Sequence, residues 1–257
     1  MTAPDKVIEL YKGQIIIDYY DPKHLYVIRK DGHVPISVTA ATGTMDKPAL
    51  KFWAVGLARD YLLDLVRAKK PITEQAIIDA SKLHQTYVKK AATIGTIVHD
   101  WAEAFIKGEK PTMPIDPKVL NGVTAFLKWA DEHEVKFLAS EQIVYSKKHD
   151  YVGMMDTKFT LKSEKHQIVH AGDFKTSSGV YPEMRFQVAA YQEADTEEGG
   201  EKYGSKWLIR FDKETGEFDP HEFPVEDHAK DFQAFKGLLD AKRRLKELQE
   251  ESKNGKQ

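Results

Sequence analysis

The chain has 257 residues, 41% of them hydrophobic and 30% charged; this is the balance of a folded soluble protein, long enough for one large domain or two small ones. Its formal net charge of −2 carries no global signal for nucleic acid, so any such surface must be a local patch. It has no cysteine, which excludes disulfides, zinc–thiolate sites and cysteine-ligated iron–sulfur clusters, and which fits a reducing compartment.

In chain order, "GQIIIDYYD" and "HLYVIRKDG" read as β-strands separated by an Asp-Pro turn. Leu50, Trp53, Leu57 and Tyr61 have helical spacing, and Pro48 suits the first turn of that helix. "ITEQAIIDASKLHQTYVKKAATIGTIVHDWAEAFIKGE" predicts one or two helices ending near Gly108, and "PKVLNGVTAFLKWADEHE" predicts another after a Gly/Pro loop. From Phe137 the period changes. "FLASEQIVYS", "MMDTKFTL" and "QIVHAGDFKT" read as three strands, with turns at "KKHDYVG" and "KSEKH". A helix follows from Pro182 to Ala194, then a hairpin of "KYGSKWLIRFD" and "GEFDPHEFP", then a long helix from Glu226 to about Glu250. The expected fold class is α/β, with helices packed on a mixed central sheet. An N-terminal β-hairpin and helical extension over residues 1–90 is expected to pack on a core over 91–250, with a polar tail over 251–257. No uncharged apolar run reaches the roughly 18 residues that span a bilayer. The N-terminus "MTAPDKVIELYKG" lacks a signal-peptide core. An intracellular, cytoplasmic protein with no membrane partner is expected.

"AGDFKTSSGVYPEMRFQVAAY" carries the chemistry. Residues i and i+2 of a strand share a face, so Asp173 and Lys175 point the same way and Phe174 points to the opposite side. Asp156 joins that side if its strand pairs with this one. Two carboxylates there suit a hard cation such as Mg²⁺ or Mn²⁺, and Lys175 adds a fixed positive charge. Gly153 and Gly172, beside these acids, allow close approach by a ligand or another backbone. Gln187 and Tyr191 are four apart on one helix face, able to reach back over the acids. His99 and Glu103 are also four apart on a helix. Imidazole tolerates Mn²⁺, and the second histidine of a zinc-protease H-E-x-x-H is missing. No G-x-G-x-x-G, P-loop or G-x-S-x-G is present, so a small-molecule α/β enzyme lacks support.

Taken in order, "GTIVHDWAE", "SEQIVYS", "GMMD", "GDFKTS" and "QVAAY" resemble the GT-x-x-H, acidic, G-x-x-D, D-x-K and Q-x-x-x-Y motifs of the PD-(D/E)XK nuclease superfamily, in its RecB-type branch, over roughly residues 95–191. "ISVTAATGTMDKPALKFWA" is also similar to the lead-in helix of the mitochondrial-genome-maintenance type of single-strand exonuclease and its phage relatives. The resemblance implies a restriction-endonuclease-like core of the kind without an iron–sulfur cluster, and its phage relatives admit a phage-encoded protein. It implies Mg²⁺ or Mn²⁺ held by His99, Asp156, Asp173 and the backbone carbonyl of Phe174. Lys175 would be the catalytic lysine, acting with Asp173 and Asp156. Glu141 matches an acidic position of the family, and Glu103 is a weaker candidate. Gln187, Tyr191, Arg185 and Ser177 would touch substrate. The implied activity is hydrolysis of DNA, exonucleolytic on single-stranded or frayed ends, in replication, recombination or repair. A structure-specific endonuclease and a non-catalytic nucleic-acid-binding module are the alternatives. Basic candidates for the DNA surface are Lys147, Lys148, Lys158, Arg185 and the "AKRRLK" run from Ala241. Trp101, Tyr151 and Tyr181 are candidates for base stacking.

Overall fold

The computed structural model describes residues 3–164, 167–200 and 202–254. Strands β1 (Lys6–Leu10), β2 (Ile15–Tyr20) and β3 (Leu25–Ile28) form an antiparallel three-stranded sheet. The expected N-terminal hairpin is therefore β2 and β3, with β1 added at its edge. Short β4 (Ile36–Ser37) leads into α1 (Val38–Thr42), where Ser37 Oγ accepts the Ala40 N–H as cap. Helix α2 (Pro48–Arg67) starts on proline, and α3 (Glu74–Ile106) is a single helix of 33 residues capped by Thr73. The expected boundary at residue 90 falls inside α3. Asp116 caps α4 (Pro117–Glu132) by accepting the N–H groups of Lys118 and Val119.

Strands β5 (Val135–Ser146), β6 (Tyr151–Leu161) and β7 (Val169–Lys175) then precede α5 (Pro182–Glu197). The hairpin of β8 (Tyr203–Phe211) and β9 (Phe218–Pro224) leads to α6 (His228–Asn254). Helix α6 thus runs four residues into the segment expected as a polar tail; residues 255–257 lie outside the described residues, as do Lys165 and His166 of the expected turn over 162–166.

The fold is α/β, built on a mixed six-stranded sheet. β6 is antiparallel to β5 and β7, whereas β7 is parallel to β8. Helices cover both faces. Met155, Ala171 and Leu208 pack with Val188 and Tyr191 of α5 and Phe235 of α6. Phe159, Phe174, Trp207 and Ile209 pack on the other side with Val98 of α3 and Phe126 and Trp129 of α4. The N-terminal sheet docks on β5 and β6 through Ile17, Tyr19, Ile143 and Val152. Among the described residues no helix is long and apolar enough to cross a membrane.

A break in the ladder along β6 positions the site. One edge of β6 pairs with β5 along its length. The other edge pairs with β4 at Tyr151 and Val152, and with β7 only from Thr157 to Phe159. Residues 153–156 have no strand partner on that edge, and α5 closes over them. A Cβ on Gly153 would lie 2.4 Å from the Tyr191 ring and 3.0 Å from Val38. Gly153→Ala should therefore displace Tyr191 and cost about 1–3 kcal/mol. Urea unfolding checks this, and an unchanged midpoint would show that the ring is not held against the glycine.

Candidate active site

Asp156, Asp173 and Lys175 line one cavity of about 660 Å³ together with His99 and Glu103 of α3. Glu141 of β5 and the pair Gln187 and Tyr191 of α5 line the same cavity. Residues up to 92 positions apart along the chain are thus brought together by three strands and two helices.

The local geometry follows from the open edge. Where the β6–β7 ladder stops, the Phe174 N–H donates to Asp156 Oδ2 at 2.7 Å instead of to a backbone carbonyl. His99 Nδ1 stands 3.6 Å from the same oxygen, and the imidazole meets the Phe174 ring edge to face. Lys175 Nζ is in close ion-pair contact with Asp173, whose side chain is only 1% exposed. Gln187 Nε2 donates to the Tyr191 hydroxyl oxygen at 2.7 Å and reaches Asp173 Oδ1 at 3.4 Å. Glu141 sits opposite Asp156 with φ at +46°, the left-handed region, which costs a non-glycine residue about 1–3 kcal/mol. The N-terminal sheet holds it there, with Lys6 Nζ donating to Glu141 Oε2 at 2.9 Å and lying 3.7 Å from Glu103.

Charge in this cavity is unbalanced. Asp21, Asp100, Glu103, Glu141, Asp156 and Asp173 face only Lys6, Lys107 and Lys175. Burial pushes the Asp156 carboxyl up to about 6 against the pull of Lys175 and the Phe174 N–H. Burial, reinforced by the Asp156 charge, pushes Asp173 up to about 6 as well. Lys175 moves the other way. Burial lowers it, but Asp173 and Asp156 outweigh burial and hold its ammonium above the ordinary lysine range. His99 keeps 30% of its side chain open toward the cavity, yet burial and the Lys175 charge hold it below the usual imidazole value, so it is neutral and has a lone pair to offer. For Glu103, burial raises the carboxyl, but Lys107 and Lys6 together hold it low.

The fit to a cation rests on these charges. Asp173 Oδ2 is buried, and its ion-pair partner is Lys175. Two oxygens-only ligands and one neutral imidazole are the donors that a hard divalent ion takes. Among the described residues, no three His, Asp or Glu side chains stand close enough together to hold a metal as they are. Asp173 would have to turn from Lys175, and Asp156 from the Phe174 N–H, toward a shared ion.

Several expected residues lie elsewhere. Arg185 is paired with Asp227 and Asp231 and stacked 4.3 Å from the Phe223 ring, where it ties α5 to α6. Ser177 Oγ donates to the Gly179 carbonyl and lines a different cavity. Lys158 is spent on buried Asp195, and Lys147 lies over the Tyr11 ring. In the "AKRRLK" run, Arg243 donates to the His149 carbonyl and Arg244 pairs with Glu247 and Glu251. Tyr151 is fully buried with its hydroxyl on the Ala190 carbonyl, and Trp101 is buried against Phe126, so neither ring is free to stack a base. Tyr181 is 41% exposed but lines the second cavity.

Sequence reasoning missed Lys6, Asp21 and His24, which reach the cavity from the N-terminal sheet. Nothing local marks them, since Lys6 meets Glu141 across 135 residues. Lys107, the C-cap of α3, was missed as well, although it follows His99 and Glu103 at successive four-residue steps that could have found it. No protein-family model matches the chain, and no curated protein matches it.

A carboxyl that ionises less readily folded than unfolded favours folding below its unfolded pKa and loses that contribution as pH rises through the folded one. For Asp156 the window runs from about 3.8 to about 6. In EDTA at pH 7, Asp156→Asn should be more stable than wild type by up to about 3 kcal/mol, with the difference gone by pH 4. Chemical denaturation across that range checks this, and a variant no more stable at pH 7 would contradict the uncompensated burial of charge.

Proposed function

We propose that the protein is a divalent-metal-dependent DNA phosphodiester hydrolase of the PD-(D/E)XK superfamily, with a restriction-endonuclease-like core. We read it as an exonuclease on single-stranded or frayed ends, serving replication, recombination or repair. The observation that carries this reading is the convergence of the ordered motif residues, from His99 through Tyr191, on the walls of one acidic cavity.

Asp156, Asp173 and His99, with the Phe174 carbonyl, would hold Mg²⁺ or Mn²⁺. When bound, such an ion supplies Lewis-acid stabilisation of charge on a phosphate and eases ionisation of water. The chain's own groups have definite tasks. The net negative cavity repels a phosphodiester until a cation enters, so cation and substrate binding are coupled by charge. Lys175 stays protonated at neutral pH and places a fixed ammonium where the phosphate gains negative charge in the transition state. Asp173 holds that ammonium in place. Gln187, itself fixed on Tyr191, orients the Asp173 carboxylate. Burial keeps the Tyr191 phenol protonated. Glu141, kept in a strained conformation beside Asp156, would serve a second cation on leaving its Lys6 partner.

The test uses labelled single-stranded and duplex DNA with Mg²⁺, Mn²⁺ or EDTA. Wild type should degrade single strands only with metal. Asp173→Ala and Lys175→Ala should each lose about 10²–10³-fold or more in rate while circular dichroism shows the fold retained. Cleavage that persists in both variants would overturn the site, and no cleavage of any strand by wild type would favour a binding module. A circular single strand left intact supports the exonuclease; its cutting supports the endonuclease.

A further inference from the structure

A second cavity of about 600 Å³ adjoins the acidic one. Gly95 lines the first cavity and Thr176 the second. The two residues touch, since a Cβ on Gly95 would lie 2.9 Å from Thr176 Oγ1. Thr176 directly follows Lys175, so the second cavity opens one residue from the catalytic lysine. Its walls are α2, α3, the loop after β7, and the end of β8 with the turn that follows it, which brings Arg210, Asp212, Lys213 and Glu214.

The rings around it are unusual in being left open. Trp53 of α2 is 39% exposed, Tyr87 of α3 is 52% and Tyr181 is 41%. Trp53 and Tyr87 meet edge to face, with centroids 6.3 Å apart. Helix α2 has no buried residue, so the fold does not place Trp53 there to fill a core. The other three tryptophans, Trp101, Trp129 and Trp207, are all buried. Polar groups rim the rings: the Ser178 hydroxyl lies beside the Tyr181 hydroxyl, and Lys213 Nζ donates to the Thr176 carbonyl at 3.1 Å.

We propose that this cleft stacks the unpaired bases next to the phosphodiester bond at Lys175, with Trp53, Tyr87 and Tyr181 as the platform. The proposal rests on the hydrolase reading and adds to it the reason for single-strand preference. Flat ring faces with a polar rim suit a nucleobase, and base–aromatic stacking tolerates any sequence. Continuity with the lysine selects a nucleic-acid strand over an apolar peptide. Bases paired within a duplex already stack on one another and cannot offer their faces to the cleft, so the occupant is a single strand.

Trp53 is its own reporter, because it is the exposed tryptophan. With Mn²⁺ present and cleavage slowed by Lys175→Ala, oligothymidylate should quench tryptophan fluorescence, whereas an abasic strand of equal length and a blunt duplex should not. Trp53→Ala should abolish the quench. Trp53→Ala and Tyr87→Ala should each weaken oligothymidylate binding, measured by anisotropy of a labelled strand, by roughly 5- to 150-fold. Equal quenching by the abasic strand, or unweakened binding in both variants, would overturn the stacking cleft. The same oligonucleotide is also incubated with wild type and Mn²⁺. Cleavage without quenching overturns the cleft and leaves the hydrolase reading standing, whereas absence of both binding and cleavage overturns the two together.

Discussion

A fully buried aspartate, Asp173, and a half-buried one, Asp156, with one lysine paired to the first, set the terms for this structure. Removing carboxylates from water is costly unless they are paired and hydrogen-bonded. Here the pairing is incomplete. Lys175 answers Asp173, one backbone N–H and a neutral imidazole answer Asp156, and both carboxyls remain hard to ionise. The fold accepts this cost at one place, the stretch of β6 that has no partner strand between β4 and β7. Gly153 lets α5 close over the gap, and Tyr191 and Gln187 enter with it.

The surrounding elements divide the work. Stiffness comes from two apolar layers, one against α5 and α6, the other an aromatic cluster centred on Phe126 and Trp129. Phe174 shows how closely chemistry and packing are joined. Its ring is in the aromatic layer, its N–H holds Asp156, and its neighbours in sequence are Asp173 and Lys175. The N-terminal sheet supplies a wall and a counter-charge, Lys6, to a strained Glu141. Helices α2 and α3 form the outer lip, where the rings stay uncovered.

Much of the site was legible in the sequence because it obeys short-range rules. Strand alternation put Asp173 and Lys175 on one face, and helical spacing joined Gln187 to Tyr191 and His99 to Glu103. The alignment of Asp156 with Asp173 needed only that two neighbouring strands pair. What was not legible depends on distant partners. Strand β1 exists because β2 offers it an edge, and the two residues of β4 exist because β6 leaves one free. Arg185 looked like a phosphate contact, yet Asp227 and Asp231, more than 40 residues on, claim it. Trp101 and Tyr151 looked like stacking rings, but both face inward, where volume rather than chemistry selects an aromatic. Trp53 and Tyr87 sit at ordinary helical spacing, and only the position of the β7 loop gives them a shared cleft.

The central claim is that this aspartate pair wants a divalent cation. Titrating Mn²⁺ calorimetrically at pH 6, in two buffers of different ionisation heat, tests it most directly. Ligands that must be deprotonated release protons when metal binds. The account predicts saturable binding with measurable proton release, lost in both Asp156→Asn and Asp173→Asn. No binding by the wild type, or binding that both variants retain, would contradict it.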